Sequence, residues 1–109
     1  MSRITKKISS FTRSDIAKLL KNAQLKLRIK GVRVLAASSS LPEFGRILMI
    51  IPRRSGNSPQ RNLIRRRLKS IFREEKLCEK LKDIVVIVRS EGINTPFDAL
   101  RTMLVEATN

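Results

Sequence analysis

Residues 53–73 read RRSGNSPQRNLIRRRLKSIFR, with eight Arg or Lys and no Asp or Glu. Ser58 followed by Pro59 predicts a helix start. A serine oxygen accepts from a free N–H of the first turn, and proline is tolerated at the first helical position. Gly56 and Asn57 just upstream suit a turn. At about 100° per residue, Ile64, Leu68, Ile71 and Phe72 share one stripe, the pattern of a core-facing surface. Asn62, Arg65, Arg66, Lys69 and Arg73 gather on another arc, with Arg61 near its border. Arg67 falls on the apolar side, which predicts an edge position with a covered stem and a solvated head. A solvated helix ordinarily interleaves both signs of charge to gain pairs one turn apart. Here like charges crowd together and repel. Contact with a polyanion offsets that repulsion, because each neutralised phosphate releases counterions.

The flanks of this helix predict a sheet. RILMII, 46–51, is a nearly continuous apolar run, as suits a strand in the middle of a sheet, and Pro52 ends it. KLCEKLKD, 76–83, reads as a fraying helix end and a linker, and DIVVIVR, 83–89, is the plainest strand in the chain. Strand, basic helix and strand form a β-α-β unit, right-handed by the general rule if the strands are parallel.

Further out, residues 1–11 are basic and serine-rich and are expected to be extended or mobile. Thr12 is a candidate N-cap, with Asp15 completing a weak capping box. The helix it opens runs to about Asn22, with Ile16, Leu19 and Leu20 on its apolar face and Lys18 and Lys21 facing water or RNA. Leu25, Leu27 and Ile29 alternate with Lys26, Arg28 and Lys30; then Val32, Val34 and Ala36 alternate around Arg33. Period two means strand, with Gly31 marking a bulge or a break and the basic residues opposite the core. SSSLPEFG, 38–45, is a turn-rich connection and SEGIN, 90–94, a loop. Thr95 and Pro96 repeat the cap-then-proline signature, opening a last helix over about 96–107. Phe97, Leu100, Leu104 and Ala107 lie on one side of it, with Met103 flanking. The fold class is α+β, an α/β sandwich with helices on one sheet.

The totals narrow the chemistry. A chain of 109 residues is one domain, and 41% hydrophobic content supports a small core. Twenty-four Lys and Arg against nine Asp and Glu give a net charge of +15, which makes nucleic acid the first partner class and an anionic membrane surface a distant second. There is no apolar run long enough to span a membrane and no secretory h-region. The single cysteine, Cys78, allows no internal disulfide and no zinc site; it reads as a half-buried structural thiol in a cytosolic protein. Histidine is absent and the carboxylates are scattered, so catalysis by the protein's own side chains is poorly supported.

The order of elements and the residues from Ile51 to Arg89 resemble the protein subunit of bacterial ribonuclease P. The resemblance rests on the basic pair Arg53 and Arg54, on Gly56-Asn57, and on the segment R-N-x-I-R-R formed by Arg61, Asn62, Ile64, Arg65 and Arg66. It continues through REEK into the DIVVIVR strand and extends more weakly over nearly the whole chain. It implies a fold of order αβββαβα, of the ribosomal-protein-S5-domain-2-like type, whose β-α-β crossover is the uncommon left-handed one. It also implies a role as the protein subunit of an endoribonuclease in which a catalytic RNA, using Mg2+, removes the 5′ leader of precursor tRNA. No organic cofactor is implied, and the expected setting is a cytoplasmic ribonucleoprotein, with the protein itself monomeric. The partners implied are that catalytic RNA and the precursor tRNA, with no membrane.

Carried over by position, Arg53, Arg54, Arg61, Asn62, Arg65, Arg66, Lys69 and Arg73 are the RNA-binding residues. Arginine forks suit phosphate, and asparagine can read a base or sugar edge. The family's leader cleft, usually aromatic, maps onto Ile16, Leu20 and Val34, with Phe11 as the one nearby ring. Leu63 stands where the family usually has a third basic residue, and Arg67 where an apolar one is common. Among other readings, a structured-RNA binder of ribosomal type without processing activity comes first. A duplex-DNA binder and a protein-only nuclease follow.

Overall fold

The structure, a computed structural model, describes residues 11–39 and 44–108. The expectation of mobility for residues 1–11 therefore falls, apart from Phe11, outside the described residues. The elements are α1 (Arg13–Asn22), β1 (Gln24–Ile29), β2 (Val32–Ser38), β3 (Ile47–Ile50), α2 (Ser58–Glu74), β4 (Lys82–Val88) and α3 (Phe97–Thr108). This is the αβββαβα order. The sheet runs β1-β2-β4-β3, antiparallel except for the parallel β3/β4 pair that α2 connects. The apolar run at 46–51 was expected in the middle of the sheet; instead its four-residue strand forms an edge, and β4 takes the centre between β2 and β3. Shortness suits an edge, where a long unpaired strand would invite pairing with another chain.

One face of the sheet carries the core. Val32 and Val34 of β2, Ile47 of β3, and Ile84, Val86 and Val88 of β4 cluster with α2 and α3. The stripe expected on α2 is there: Ile64, Leu68, Ile71 and Phe72 are 0–2% exposed. From α3, Leu100, Met103, Leu104 and Ala107 join them. Cys78 is half-buried against this cluster, and burial, then Glu79, pushes its thiol up, so little thiolate forms.

Local rules set the helix ends, with two departures. The box of α1 is closed as expected, with Asp15 N–H donating to Thr12 Oγ1 and Thr12 N–H donating to Asp15 Oδ2, both at 3.1 Å. The cap of α2 is Asn57, one residue before the expected Ser58. Asn57 accepts from Gln60 N–H and Gln60 Oε1 accepts from Asn57 N–H, both at 2.9 Å, a reciprocal pair that serine at 58 does not form. Thr95 does not cap α3. Its hydroxyl donates to the Gly92 carbonyl at 2.7 Å, and Pro96 supplies the first accepting carbonyl, to Leu100 N–H.

The alternation in β1 breaks earlier than Gly31. A bulge lies between Leu25, which pairs with Leu35, and Leu27, which pairs with Val34. One inserted residue flips the face. Leu25 is thereby turned to the second face, 52% exposed, and Leu27 reaches the core; Ile29, opposite Val32 on Leu27's side, ends the strand and remains 40% exposed. Gly31 is the break between strands, in a tight turn at φ 80° that favours glycine. A Cβ there would lie 2.1 Å from the Gly92 nitrogen, so hairpin and 90–92 turn meet backbone to backbone. Arg89 N–H donates to the Gly31 carbonyl at 2.8 Å across the same contact.

The sheet's second face is formed by residues that alternate with the core set. Reading the pairing across the strands, one row is Arg28, Arg33, Ile87 and Ile50, and the next is Leu25, Leu35, Val85 and Leu48. A third holds Ala37 and Asp83. Helix α1 lies over the third row, where Asp15, Lys18, Leu19 and Asn22 wall a small cavity with Ala37, Ser38 and Asp83.

Candidate nucleic-acid interface

Two surfaces offer chemistry, the polar flank of α2 and the sheet face shared with α1. On α2, Asn62, Arg66 and Arg73 are exposed, and Arg65 and Lys69 are half-buried. Arg65 donates to Asn62 Oδ1 at 3.2 Å, which orders the two side chains side by side. Among the described residues the ion pairs are Arg46–Asp15, Arg46–Asp83 and Arg101–Asp98, so the helix's cations are not neutralised by any carboxylate. Arg67 is half-buried on the other flank, as its angle predicts.

Arg61 differs from the rest. It is half-buried, its Nε donating to the Gly56 carbonyl and its Nη2 to Ser58 Oγ, both at 3.1 Å. It braces the loop ahead of the helix while leaving other N–H donors of its fork available. That loop is also pinned by Ser55, 4% exposed, whose hydroxyl donates to the Val88 carbonyl at 2.8 Å. The exposed pair Arg53 and Arg54 therefore sits on a braced turn (Arg53–Ser55) leading into α2.

On the second surface, α1 is held by a buried cation that the sequence pattern did not announce. Arg46 is 4% exposed. Its guanidinium reaches Asp15 of α1 at 3.2 Å and Asp83 of β4 at 3.4 Å, and lies 4.3 Å from the centre of the Phe11 ring. The Thr12 N–H first, and Arg46 second, hold the Asp15 carboxyl below the usual aspartate range. Ile16 is half-buried and Leu20 44% exposed on the same helix.

Val34 does not belong to this surface. It is 1% exposed in the core cluster, on the opposite side of the sheet, because β2 alternates without a break and sets Val34 opposite Val86 in the core row. Its neighbours Arg33 and Leu35 face the α1 side instead. Phe11 is engaged by Arg46, Phe44 and Phe72 are buried, and Phe97 packs against the core beside Arg101. Phe11 therefore lies on the α1 side of the sheet, with the Arg46 that reaches Asp83 in the third row, and the other three rings are buried or packed against the core.

The family model for ribonuclease P matches residues 5–109. The chain belongs to the ribonuclease P protein family. Its role is the family's, as the protein subunit of ribonuclease P in tRNA processing. A search of curated protein sequences finds no match. Among solved structures, the chain is similar to the RNase P protein of Staphylococcus aureus, with TM-score 0.74 and 19% identity over 92% of this chain and 91% of that one. It is also similar to the RNase P protein from Thermotoga maritima, with TM-score 0.72 and 22% identity over 93% and 96%. At these identities the likeness is one of fold, and it covers the element order and crossover described above. Within that fold, the R-N-x-I-R-R residues of this ribonuclease P protein all lie in the first turns of α2, directly after the braced basic pair.

Proposed function

We propose that the polar flank of α2, with Arg53 and Arg54, binds the catalytic RNA of ribonuclease P, and that the sheet face beside α1 receives the 5′ leader of precursor tRNA. The observation that carries this reading is a row of cations free of carboxylate partners on a helix whose other side is buried in the core. A docked helix holds its guanidinium groups at fixed spacing. Binding phosphates then relieves their mutual repulsion and releases counterions.

The hydrolysis itself is assigned to the RNA, with Mg2+ as the RNA's ion. The chain has no histidine, and among the described residues no three Asp, Glu or Cys side chains gather as a metal site. The protein's part is to bind and orient. Proposed partners are the RNA subunit and the precursor tRNA, in the cytoplasm, with the protein itself a monomer. Among the described residues no helix is long and apolar enough to cross a membrane.

The test is cleavage of a precursor tRNA by a bacterial ribonuclease P RNA at low magnesium, with and without this protein. Restored cleavage at the mature 5′ end supports the reading. RNA binding without restored cleavage, even with the cognate RNA, returns the chain to a structured-RNA binder of ribosomal type.

A further inference from the structure

We infer that Arg28 and Arg33 grip the precursor leader by its phosphates, so that this chain recognises the leader by charge and length with little regard to base identity. The inference rests on the leader-binding reading above and names the residues and the chemistry of that contact.

Arg28 and Arg33 are direct cross-strand partners, and both face away from the core. Side chains opposite one another in this way start about 5 Å apart at Cβ, and like charges there destabilise the sheet. Among the described residues neither guanidinium has an ion pair, and Lys30 and Arg89 beside them add charge of the same sign. Together with Lys30 and Arg89 they line a cavity of about 400 Å³ in which Glu91 is the one carboxylate. Arg89 also lines a second cavity, of about 450 Å³, whose wall includes Arg54. The positive track therefore runs from the hairpin to the basic pair ahead of α2. Hairpin and 90–92 turn cannot drift apart without breaking the close Gly31–Gly92 contact, so the track is fixed in shape.

The same row continues into Ile87 and Ile50, an aliphatic floor beside the charges. A single strand laid along this face meets guanidinium at its phosphates and aliphatic surface at its sugars and bases. Base stacking on aromatic rings is the usual sequence-tolerant anchor of single strands, but no ring lines this track: Phe11 is engaged by Arg46 at the third row, and the other three Phe are buried or packed against the core. An arginine plane can cover any base, and phosphate contacts carry no sequence information.

The experiment measures binding of precursor tRNAs by the assembled RNA–protein complex across a salt series. Leaders are long or very short, and the long ones are A-only, U-only or C-only. The inference expects equal affinity for the three long leaders and a steeper salt dependence for long than for short. Arg28→Ala with Arg33→Ala should lower the log–log salt slope for long leaders by about 1.4, at 0.7 per single-strand phosphate contact. The very short leader should bind as before, and Arg28→Lys with Arg33→Lys should recover most of the slope. An unchanged slope in the alanine pair, an equal loss on both leader lengths, or a strong base preference overturns the inference. Assembly of each variant with the RNA subunit alone is measured in parallel. Normal assembly with a flat leader response rejects this inference only, whereas failure of the unaltered protein to assemble rejects the proposed function and this inference with it.

Discussion

Replacing Arg46 by methionine should unfold the protein far more readily than its position just outside a strand suggests. The side chains of Arg46 and Asp83 are 5% and 4% exposed, so the pair lies in the buried regime. Removing one partner of a buried pair costs about 3–5 kcal/mol, mostly because the other charge is stranded. Asp83 would keep one donor, the backbone N–H of position 46 at 2.9 Å, which favours the lower part of that range. Methionine still offers an apolar surface to Phe11. Against a typical total of roughly 5–15 kcal/mol, a loss of about 3–4 kcal/mol is severe. At about 4 °C or more per kcal/mol, Tm should fall by at least about 12 °C. The chain has no Trp or Tyr, so unfolding in urea is followed by far-UV circular dichroism. Adding Asp83→Asn to Arg46→Met removes the stranded charge and keeps an oxygen for that N–H, and should recover more than half of the loss. The reasoning fails if Arg46→Met costs less than about 1 kcal/mol, the exposed-pair value, or if the double variant is no more stable than the single one.

Arg65→Ala with Lys69→Ala should weaken RNA binding and lower the salt slope by about one unit or more, with unchanged circular dichroism; unchanged binding at every salt concentration refutes the assignment of α2. The Asp15 carboxyl is depressed in the folded state, so its stabilisation is present above its unfolded pKa and is lost as pH falls through the lower folded value. Asp15→Asn should accordingly flatten the decline in stability below about pH 4, read from urea midpoints at several pH values. Gly31→Ala forces a side chain into positive φ, about 1–3 kcal/mol by itself, and drives its Cβ into the Gly92 backbone. A thermal melt of that variant indistinguishable from the original would show that the hairpin and the 90–92 turn do not meet as described.

Much of the architecture is legible from local pattern. The α1 capping box, the two faces of α2 and the β-branched β4 follow from residue spacing and capping chemistry. The basic pair and R-N-x-I-R-R fall where the family resemblance places them, and the cations of α2 lie on one flank because helical periodicity is a local property. Not every misplaced feature depends on groups distant in sequence: Ser58 looked like a cap, but the box closes between Asn57 and Gln60, one residue earlier. The 46–51 run looked central because its residues are apolar; whether a strand is central depends on which strands pair beside it. Family position puts Val34 in the cleft, yet the alternation of Val32, Val34 and Ala36 around Arg33 runs unbroken and sets it on the core side, opposite Val86.

The charge, the helix that carries it, the order of the elements and the family can all be read from the chain before it folds. Each of these rests on residue identity or on spacing within a few turns of chain. Folding is what buries Arg46 between Asp15 and Asp83, residues 31 and 37 positions away. Strand pairing likewise sets Arg28 and Arg33 opposite one another on the face shared with α1. Burial and cross-strand adjacency depend on what packs over or beside a residue, and the chain brings those partners from far along its length.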